Sequence, residues 1–491
     1  MGTGASGERF RDDEHLYAND LDLFGHGSLF ELLSIARTQS GEETIAAWLK
    51  APAPPDIIRA RQHAVDELGP RLDLREELAL AGTEVRAGVD TVALVRWAAA
   101  PPILAARWPA ALATLLTMAT LMGAAVWVLR AAPQLFAAAV LSTIILSLPL
   151  RSRVSRVLHA AGAAARDLDI LAHVLLRLER ERFASEALVD LSATLRHEVP
   201  ASSAISRLHR LAAMHDWQHN QFFAPVAAML LWGTHLAYAM ERWRRVHGAH
   251  VERWLTTVGE FEALSSFAAY RYEHPADVFP EIADTLPAVF EGSALGHPLL
   301  AASRMVRNDV RLVQLLIVSG SNMSGKSTLL RTVGVNTVLA FAGAPVRASR
   351  LRLTPMAVGA TLRIQDSLQE GRSRFYAEIT RIRRLTDVAA GPLPLLFLLD
   401  ELFHGTNSHD RLAGASGVLR ALLDRGAIGL VTTHDLALTQ IADAFGARAA
   451  NVHFDDAFDG GELRFDYVMK PGPVTRSNAL ALMRAVGLPV D

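Results

Sequence analysis

Residues Gly320-Ser321-Asn322-Met323-Ser324-Gly325-Lys326-Ser327 follow the pattern G-x-x-x-x-G-K-[ST]. Glycines let such a loop bend tightly, its backbone N–H groups converge on phosphates, and its lysine reaches the β- and γ-phosphates. The chain uses arginine almost everywhere and has lysine only at Lys50, Lys326 and Lys470. A planar guanidinium replaces an ammonium on a solvated face but fits poorly inside a tight loop, so Lys326 reads as chemically required. The flanks agree. Leu315-Leu316-Ile317-Val318 is a bulky apolar run ahead of Gly320, as a buried parallel strand would be. Thr328 to Val333 opens a helix, whose N-terminal N–H groups and dipole favour an anion. A nucleoside triphosphate is the implied ligand, with the Ser327 hydroxyl offered to Mg²⁺.

A second set of residues completes the first. Leu395 to Leu399 is another apolar strand, and it ends in Asp400-Glu401. In phosphate-loop ATPases the first such carboxylate holds Mg²⁺ and a second polar group orients the attacking water, roles expected for Asp400 and Glu401. Leu430-Val431-Thr432-Thr433-His434 is a third strand with a histidine at its C-terminal edge, the edge where open α/β sheets bind ligands. His434 is therefore expected to touch the γ-phosphate or the water.

Gly320 to Thr328, Asp400-Glu401-Leu402-Phe403-His404-Gly405-Thr406-Asn407 and Thr432-Thr433-His434 together resemble the ATPase domain of the MutS DNA mismatch-repair family. The Asn322-Met323 pair is particularly characteristic of that family. Gly371-Arg372-Ser373-Arg374-Phe375 resembles its Gly-Arg-Ser-x-Phe segment, and Asn451-Val452-His453, Phe465 and Thr475-Arg476-Ser477 follow its closing strands and turn. The resemblance covers about Gly296 to the C-terminus, with the motifs in the family's order. It implies ATP and Mg²⁺ as ligands, held by Gly320, Ser321, Asn322, Met323, Ser324, Gly325, Lys326, Ser327 and Thr328. It also implies a homodimer in which Ser373 faces the partner's nucleotide, with Gly405, Thr406 and Asn407 along the same seam. Upstream, Ser28 to Leu33, Gly41 to Pro52 and Arg61 to Val65 look like the start of the family's helical core, and Gly259 to Pro280 like its end.

The departures from the family are as telling. About fifteen residues precede the core-like region, so the mismatch-sensing N-terminal domain is expected to be absent and the polar Met1 to Asp13 disordered. In the adenine clamp, Met305 or Val306 stands where an aromatic is usual and Tyr467 replaces a histidine. Both kinds of substitute can sandwich a purine. The chain ends soon after Gly487-Leu488-Pro489, so the family's dimerising helices are expected to be shortened.

Composition limits the remaining chemistry. The absence of cysteine excludes disulfides, thiolate metal sites and cysteine nucleophiles. A formal charge of −2 gives no overall basic footprint for nucleic acid, and the arginine clusters at 151–156, 242–245 and 381–384 read as solvated helix faces. No signal peptide is visible, because the first 25 residues lack an apolar core. The mean hydropathy of +0.20 is high for a soluble enzyme, and its excess has an address. Trp108 to Leu129 and Ala131 to Leu150 carry no charged residue, and each is long enough to cross the roughly 30 Å hydrocarbon core of a bilayer. Arg107 before the pair and Arg151, Arg153 and Arg156 after it put both ends inside by the positive-inside rule, hence at the cytoplasmic membrane with the termini and ATPase region cytoplasmic. A third uncharged run, Gln221 to Met240, reads as a buried core helix.

The elements that must position these residues form a multidomain, α plus α/β chain. The expected order is a disordered N-terminus (1–15), a helical core-like region (16–106), a transmembrane hairpin (107–151, spans 108–129 and 131–150), a helical lever-like region (152–290) and a P-loop, ABC-type α/β ATPase domain (291–491). Two functions fit: a membrane-tethered ATPase of MutS type associated with duplex DNA, or a membrane-anchored nucleotide switch or scaffold that does not bind mismatched DNA. Two spans per chain and the lack of a Leu-Ser-Gly-Gly-Gln signature argue against a transporter.

Overall fold

The computed structural model describes residues 5–88, 90–196, 199–321, 323–363, 374–403, 408–459 and 462–474. The chain divides into two compact units, one made of Met1–Ile35, Glu43–Pro70 and Ala263–Asp491, the other of Ala36–Glu42 and Arg71–Glu262.

The first unit is built on two sheets. Strands β1 (Glu281–Ile282), β2 (Phe290–Leu295), β3 (Asn308–Leu312) and β5 (Arg350–Leu353) form a four-stranded sheet in the order β1-β5-β2-β3. Strands β4 (Leu315–Ser319), β6 (Ala357–Thr361), β7 (Leu395–Leu399), β8 (Ile428–Thr433), β9 (Ala449–Asp459) and β10 (Glu462–Pro471) form a six-stranded sheet in the order β10-β9-β4-β8-β7-β6. All its pairings are parallel except β10 on β9. Every residue of β4, β7 and β8 is buried, which is why these strands read as unbroken apolar runs rather than alternating ones. Leu315, Ile317, Phe397, Leu399 and Val431 pack with Leu385, Leu419 and Leu422 of the covering helices in one core. In each βα connection the strand's C-terminal end hands over to a loop, so β4, β7 and β8 deliver their following residues to one edge of the sheet.

From residue 5 onward the N-terminal segment packs within this unit, where the sequence suggested disorder. Phe10 packs its ring against Phe24 and Phe30, with centroids 5.8 and 5.4 Å away. Asp20 accepts hydrogen bonds from the backbone N–H of Leu362 (2.7 Å) and Arg363 (2.8 Å) and pairs with Arg381 at 2.8 Å. Burial pushes the Asp20 carboxyl upward, while the Arg381 guanidinium and the two N–H groups oppose that shift. Arg59 and Gln62 donate to the carbonyls of Ile282 and Pro280. These polar contacts join segments more than 200 positions apart, so this unit is discontinuous along the chain.

The second unit is helical. The helix Trp108–Arg130 ends in a turn at Ala131, and the helix Gln134–Arg180 follows, running 47 residues through Pro149 rather than stopping at Leu150. Gly123 lets the two approach closely, since a Cβ there would lie 2.8 Å from the Phe136 Cα. Only 17% of the most apolar window of each helix is buried. Leu115, Met118, Leu121, Met122, Ile145 and Leu148 are exposed. The run 221–240 is not one buried helix. It breaks at Leu230-Leu231, where Leu231 adopts φ 50°, into the helix Ala224–Met229 and the start of the helix Trp232–Glu273. Within this unit the buried Glu262 carboxylate accepts from Thr38 N–H and Oγ1, and burial pushes its carboxyl upward.

Candidate functional site

The loop after β4 opens at Gly320 (φ 149°) and closes at Gly325 (φ 104°), both in the backbone region that side chains disfavour. The helix Lys326–Ala342 starts immediately after it, so the first-turn N–H groups face the same space as the loop. Lys326 is buried, and its Nζ donates to the carbonyls of Gly320 (2.9 Å) and Ser321 (2.8 Å). Burial pushes its ammonium below the ordinary lysine range, against the pull of Glu401 and Asp400. A desolvated ammonium of this kind gains from any anion that reaches it. The hydroxyls of Ser321 and Ser324 are buried without a hydrogen-bond partner among the described residues. Orphaned donors around a lysine and a helix N-terminus suit phosphate oxygens.

The acidic pair sits across from this loop. Ser327 Oγ donates to Asp400 Oδ2 at 2.6 Å, and Thr432 Oγ1 donates to Asp400 Oδ1. The Thr432 oxygen also accepts the Glu401 N–H at 3.1 Å, so one buried hydroxyl fixes both acids. His434 Nδ1 lies 3.2 Å from Glu401 Oε1. Lysine, serine, aspartate, glutamate and histidine are thereby brought together from three strand ends, as expected from the sequence. Ser327 and Asp400 present two hard oxygen donors 2.6 Å apart, a set that fits Mg²⁺ completed by phosphate and water.

Beyond the loop lies a cavity of about 660 Å³. Met323, Gly325, Lys326, Ser327, Thr328 and Glu401 line it together with Leu295, His297, Leu300, Arg304, Val306, Asn308, Phe454 and Tyr467. Of the two clamp candidates on one side, Val306 faces the cavity; the Met305 sulfur would lie 2.5 Å from a Cβ at Gly296, and Met305 does not line the cavity. Tyr467 stands opposite on an irregular stretch of β10, where the pairing with β9 shifts register between Phe465 and Met469. Asn308 holds that stretch from both sides: it donates to the Tyr467 carbonyl at 3.0 Å and accepts from Met469 N–H at 2.7 Å. Met323, Glu401 and Tyr467 all adopt positive φ, at 72°, 51° and 53°. Backbone strain of this sort gathers where a site over-determines its geometry.

Sequence reasoning missed His297, Arg304, Asn308 and the role of Thr432. His297 is buried, accepts the Leu299 N–H at Nδ1 (3.2 Å), and is pushed down to about 4 by that burial, with Arg331 adding to the shift. It is neutral at physiological pH and so gives the cavity an uncharged polar wall. Asn322, Ser373, Gly405, Thr406 and Asn407 lie outside the described residues, as does the Thr475-Arg476-Ser477 turn.

A parallel sheet with a glycine-bounded loop, a buried lysine and a clamped acidic pair is the architecture of a nucleotide-binding α/β domain. Residues 316–491 match the family model of MutS domain V. Over 200 residues, 40% of this chain, it is 36% identical to endonuclease MutS2 of Thermus thermophilus. Over 181 residues, 36% of the chain, it is 37% identical to the DNA mismatch repair protein MutS 2 of Haloarcula marismortui. The matched stretch spans 26% and 18% of those two relatives.

Proposed function

We propose that this chain binds and hydrolyses ATP with Mg²⁺ at the β4–β7–β8 edge of a P-loop ATPase domain, and that it is a MutS-like, DNA-associated protein tethered to the cytoplasmic membrane. The observation that carries the ATPase reading is the half-buried hydrogen-bonded network Ser327–Asp400–Thr432–Glu401, whose two acids act on the buried Lys326. Lys326 and the N–H groups of the loop and first helical turn would hold the β- and γ-phosphates. Ser327 and Asp400 would hold Mg²⁺, which supplies charge neutralisation on those oxygens when bound. Glu401 would orient a water toward the γ-phosphorus and take its proton as the new P–O bond forms and the bond to ADP breaks, with His434 supporting the carboxylate. Val306 and Tyr467 would flank the base. Lys326→Ala is expected to weaken ATP binding, whereas Glu401→Gln should bind ATP and turn over little. Undiminished hydrolysis in Glu401→Gln would remove that residue from its role.

Association with DNA is supported by the names of the two relatives, and salt-dependent binding of the purified chain to duplex DNA tests it. The formal charge of −2 favours the second reading, a membrane-anchored nucleotide switch that does not bind mismatched DNA. Absence of salt-dependent binding would select it. Tethering is supported by the outward apolar faces of the helix Trp108–Arg130 and the first half of the helix Gln134–Arg180. The dimer implied by the family would bring Ser373, Gly405, Thr406 and Asn407 to the partner's nucleotide. Membrane confinement would then raise the effective concentration of one ATPase domain for another.

A further inference from the structure

The break in the run 221–240 produces a structure that neither a buried helix nor a third span describes. From Trp217 to Met240 there is no Asp, Glu, Lys or Arg. The chain leaves the helix Ala201–Asp216, turns through Trp217–Asn220, makes the short helix Ala224–Met229 and re-enters a long helix at Trp232. Large apolar side chains are exposed on this excursion: Phe222 is 92% exposed, and Trp217, Val226 and Met229 are exposed too, beside the uncharged polar Asn220 and Gln221.

The return of the excursion meets the apolar hairpin. A Cβ on Gly233 would lie 3.5 and 3.9 Å from Leu158 and Val154, beside the arginines at 151, 153 and 156. At the break, Thr117 Oγ1 donates to the Leu230 carbonyl at 3.0 Å and lies 3.0 Å from His235 Nε2. Thr117 is nine positions inside the helix that begins at Trp108, on the order of 13 Å along its axis at 1.5 Å per residue. The break frees the Leu230 carbonyl from helical pairing, and Thr117 satisfies it. Non-helical backbone at membrane depth is tolerated only with such partners. The Trp232 indole N–H likewise donates to the Met214 carbonyl at 2.9 Å.

Behind the excursion the charge changes sign of character. Arg207 and Arg242 line a cavity of about 290 Å³ with His235, Tyr238, Trp243 and His247, and no carboxylate lines it. Among the described residues neither arginine is ion-paired. An exposed apolar tip with an unpaired cationic collar matches a leaflet of anionic lipid, the tip in acyl chains and the collar at phosphate depth.

We propose that Trp217–Leu231 is a re-entrant wedge seated in the cytoplasmic leaflet of an anionic bilayer, beside the hairpin and without crossing. The proposal rests on the reading of Trp108–Leu150 as membrane-spanning, and its test separates the two. Because the chain has no cysteine, single cysteines can be introduced without background. The full chain is placed in nanodiscs of phosphatidylglycerol and phosphatidylcholine and spin-labelled singly at Phe222, Met229, Leu121 and Glu252. Phe222 and Leu121 are exposed, so their replacement removes little packing, and Glu252 is an exposed control on the long helix. Collision accessibility to oxygen and to a water-soluble nickel chelate is then measured. The expected result is that Phe222 and Met229 match Leu121, with an oxygen-to-nickel ratio several-fold above that at Glu252. Phe222 open to the nickel chelate while Leu121 is not would overturn the wedge alone. Both open to it would overturn the wedge and the hairpin together. Phe222 shielded from both reagents would mean that protein, such as a second copy of the chain, covers the tip, and would also overturn the proposal.

Discussion

Thr432→Val is the sharpest perturbation of the acidic pair. Valine matches threonine in shape, so the change opens no cavity at this fully buried position and removes only the hydroxyl. That hydroxyl donates to Asp400 Oδ1 and accepts the Glu401 N–H at 3.1 Å. Without it, Asp400 keeps its Ser327 bond at 2.6 Å but loses the second restraint on its plane. Glu401, already at φ 51°, loses the acceptor that holds its N–H. A hydrogen bond to a charged group contributes roughly 1.5–3 kcal/mol, and each 1.36 kcal/mol is tenfold in rate, so turnover should fall by roughly 10- to 150-fold. ATP affinity should change by about threefold or less, because Lys326 and the loop N–H groups, the groups proposed to hold the phosphates, are untouched. Thr432→Ser keeps the hydroxyl and should recover most of the loss. Steady-state hydrolysis and a nucleotide-binding titration on the three proteins measure this. Full turnover in Thr432→Val, or a serine variant as impaired as the valine one, would refute the clamp.

His297 makes folding stability pH-dependent. Its proton is bound more readily unfolded (ordinary value 6.5) than folded (about 4), so its contribution is complete above 6.5 and is lost as pH falls toward 4. The gap sets a ceiling of about 3 kcal/mol, read as the difference in acid destabilisation between wild type and His297→Gln in urea unfolding. Phe30→Ala removes a fully buried ring from the N-terminal cluster and should cost about 3–5 kcal/mol, seen as a lowered denaturation midpoint and faster proteolysis of the N-terminal segment. For the hairpin, reporters fused at Asp13, Pro133 and Asp491 should report inside, outside and inside. For the shared site, mixing Lys326→Ala with Ser373→Arg should restore activity in about half of the sites of mixed dimers, since both lesions can fall in one composite site; confirmed mixed dimers without activity would refute it.

What was legible in the sequence is what lies close together along it. The phosphate loop is eight consecutive residues between a strand and a helix, and the structure brings Lys326, Ser327, Asp400, Glu401 and His434 to one edge as those patterns imply. The apolar runs of β4, β7 and β8 announced themselves because both faces of a parallel strand are buried. Contacts that span the chain left no such mark. Asp20 meets Arg381 across 361 positions, and nothing in the polar residues before it separates a docked segment from a free one. The break at Leu231 has no glycine at the left-handed position itself, which is a leucine. The cavity wall shows the limit most clearly. Met305 and Val306 are neighbours on the chain approach to β3, in a stretch without regular structure, so no strand alternation announces which of them faces the cavity. Both are apolar, so composition gives no preference; the crowded Gly296 takes Met305 and leaves Val306 to the cavity. Tyr467 faces it because β10 slips its register there and Asn308, 159 positions away, binds the slipped strand on both sides. The placement of Val306 and Tyr467 is therefore a property of register and of a long-range polar contact, and replacing Asn308 should disturb Tyr467, whose ring lies beside Gly325 of the loop.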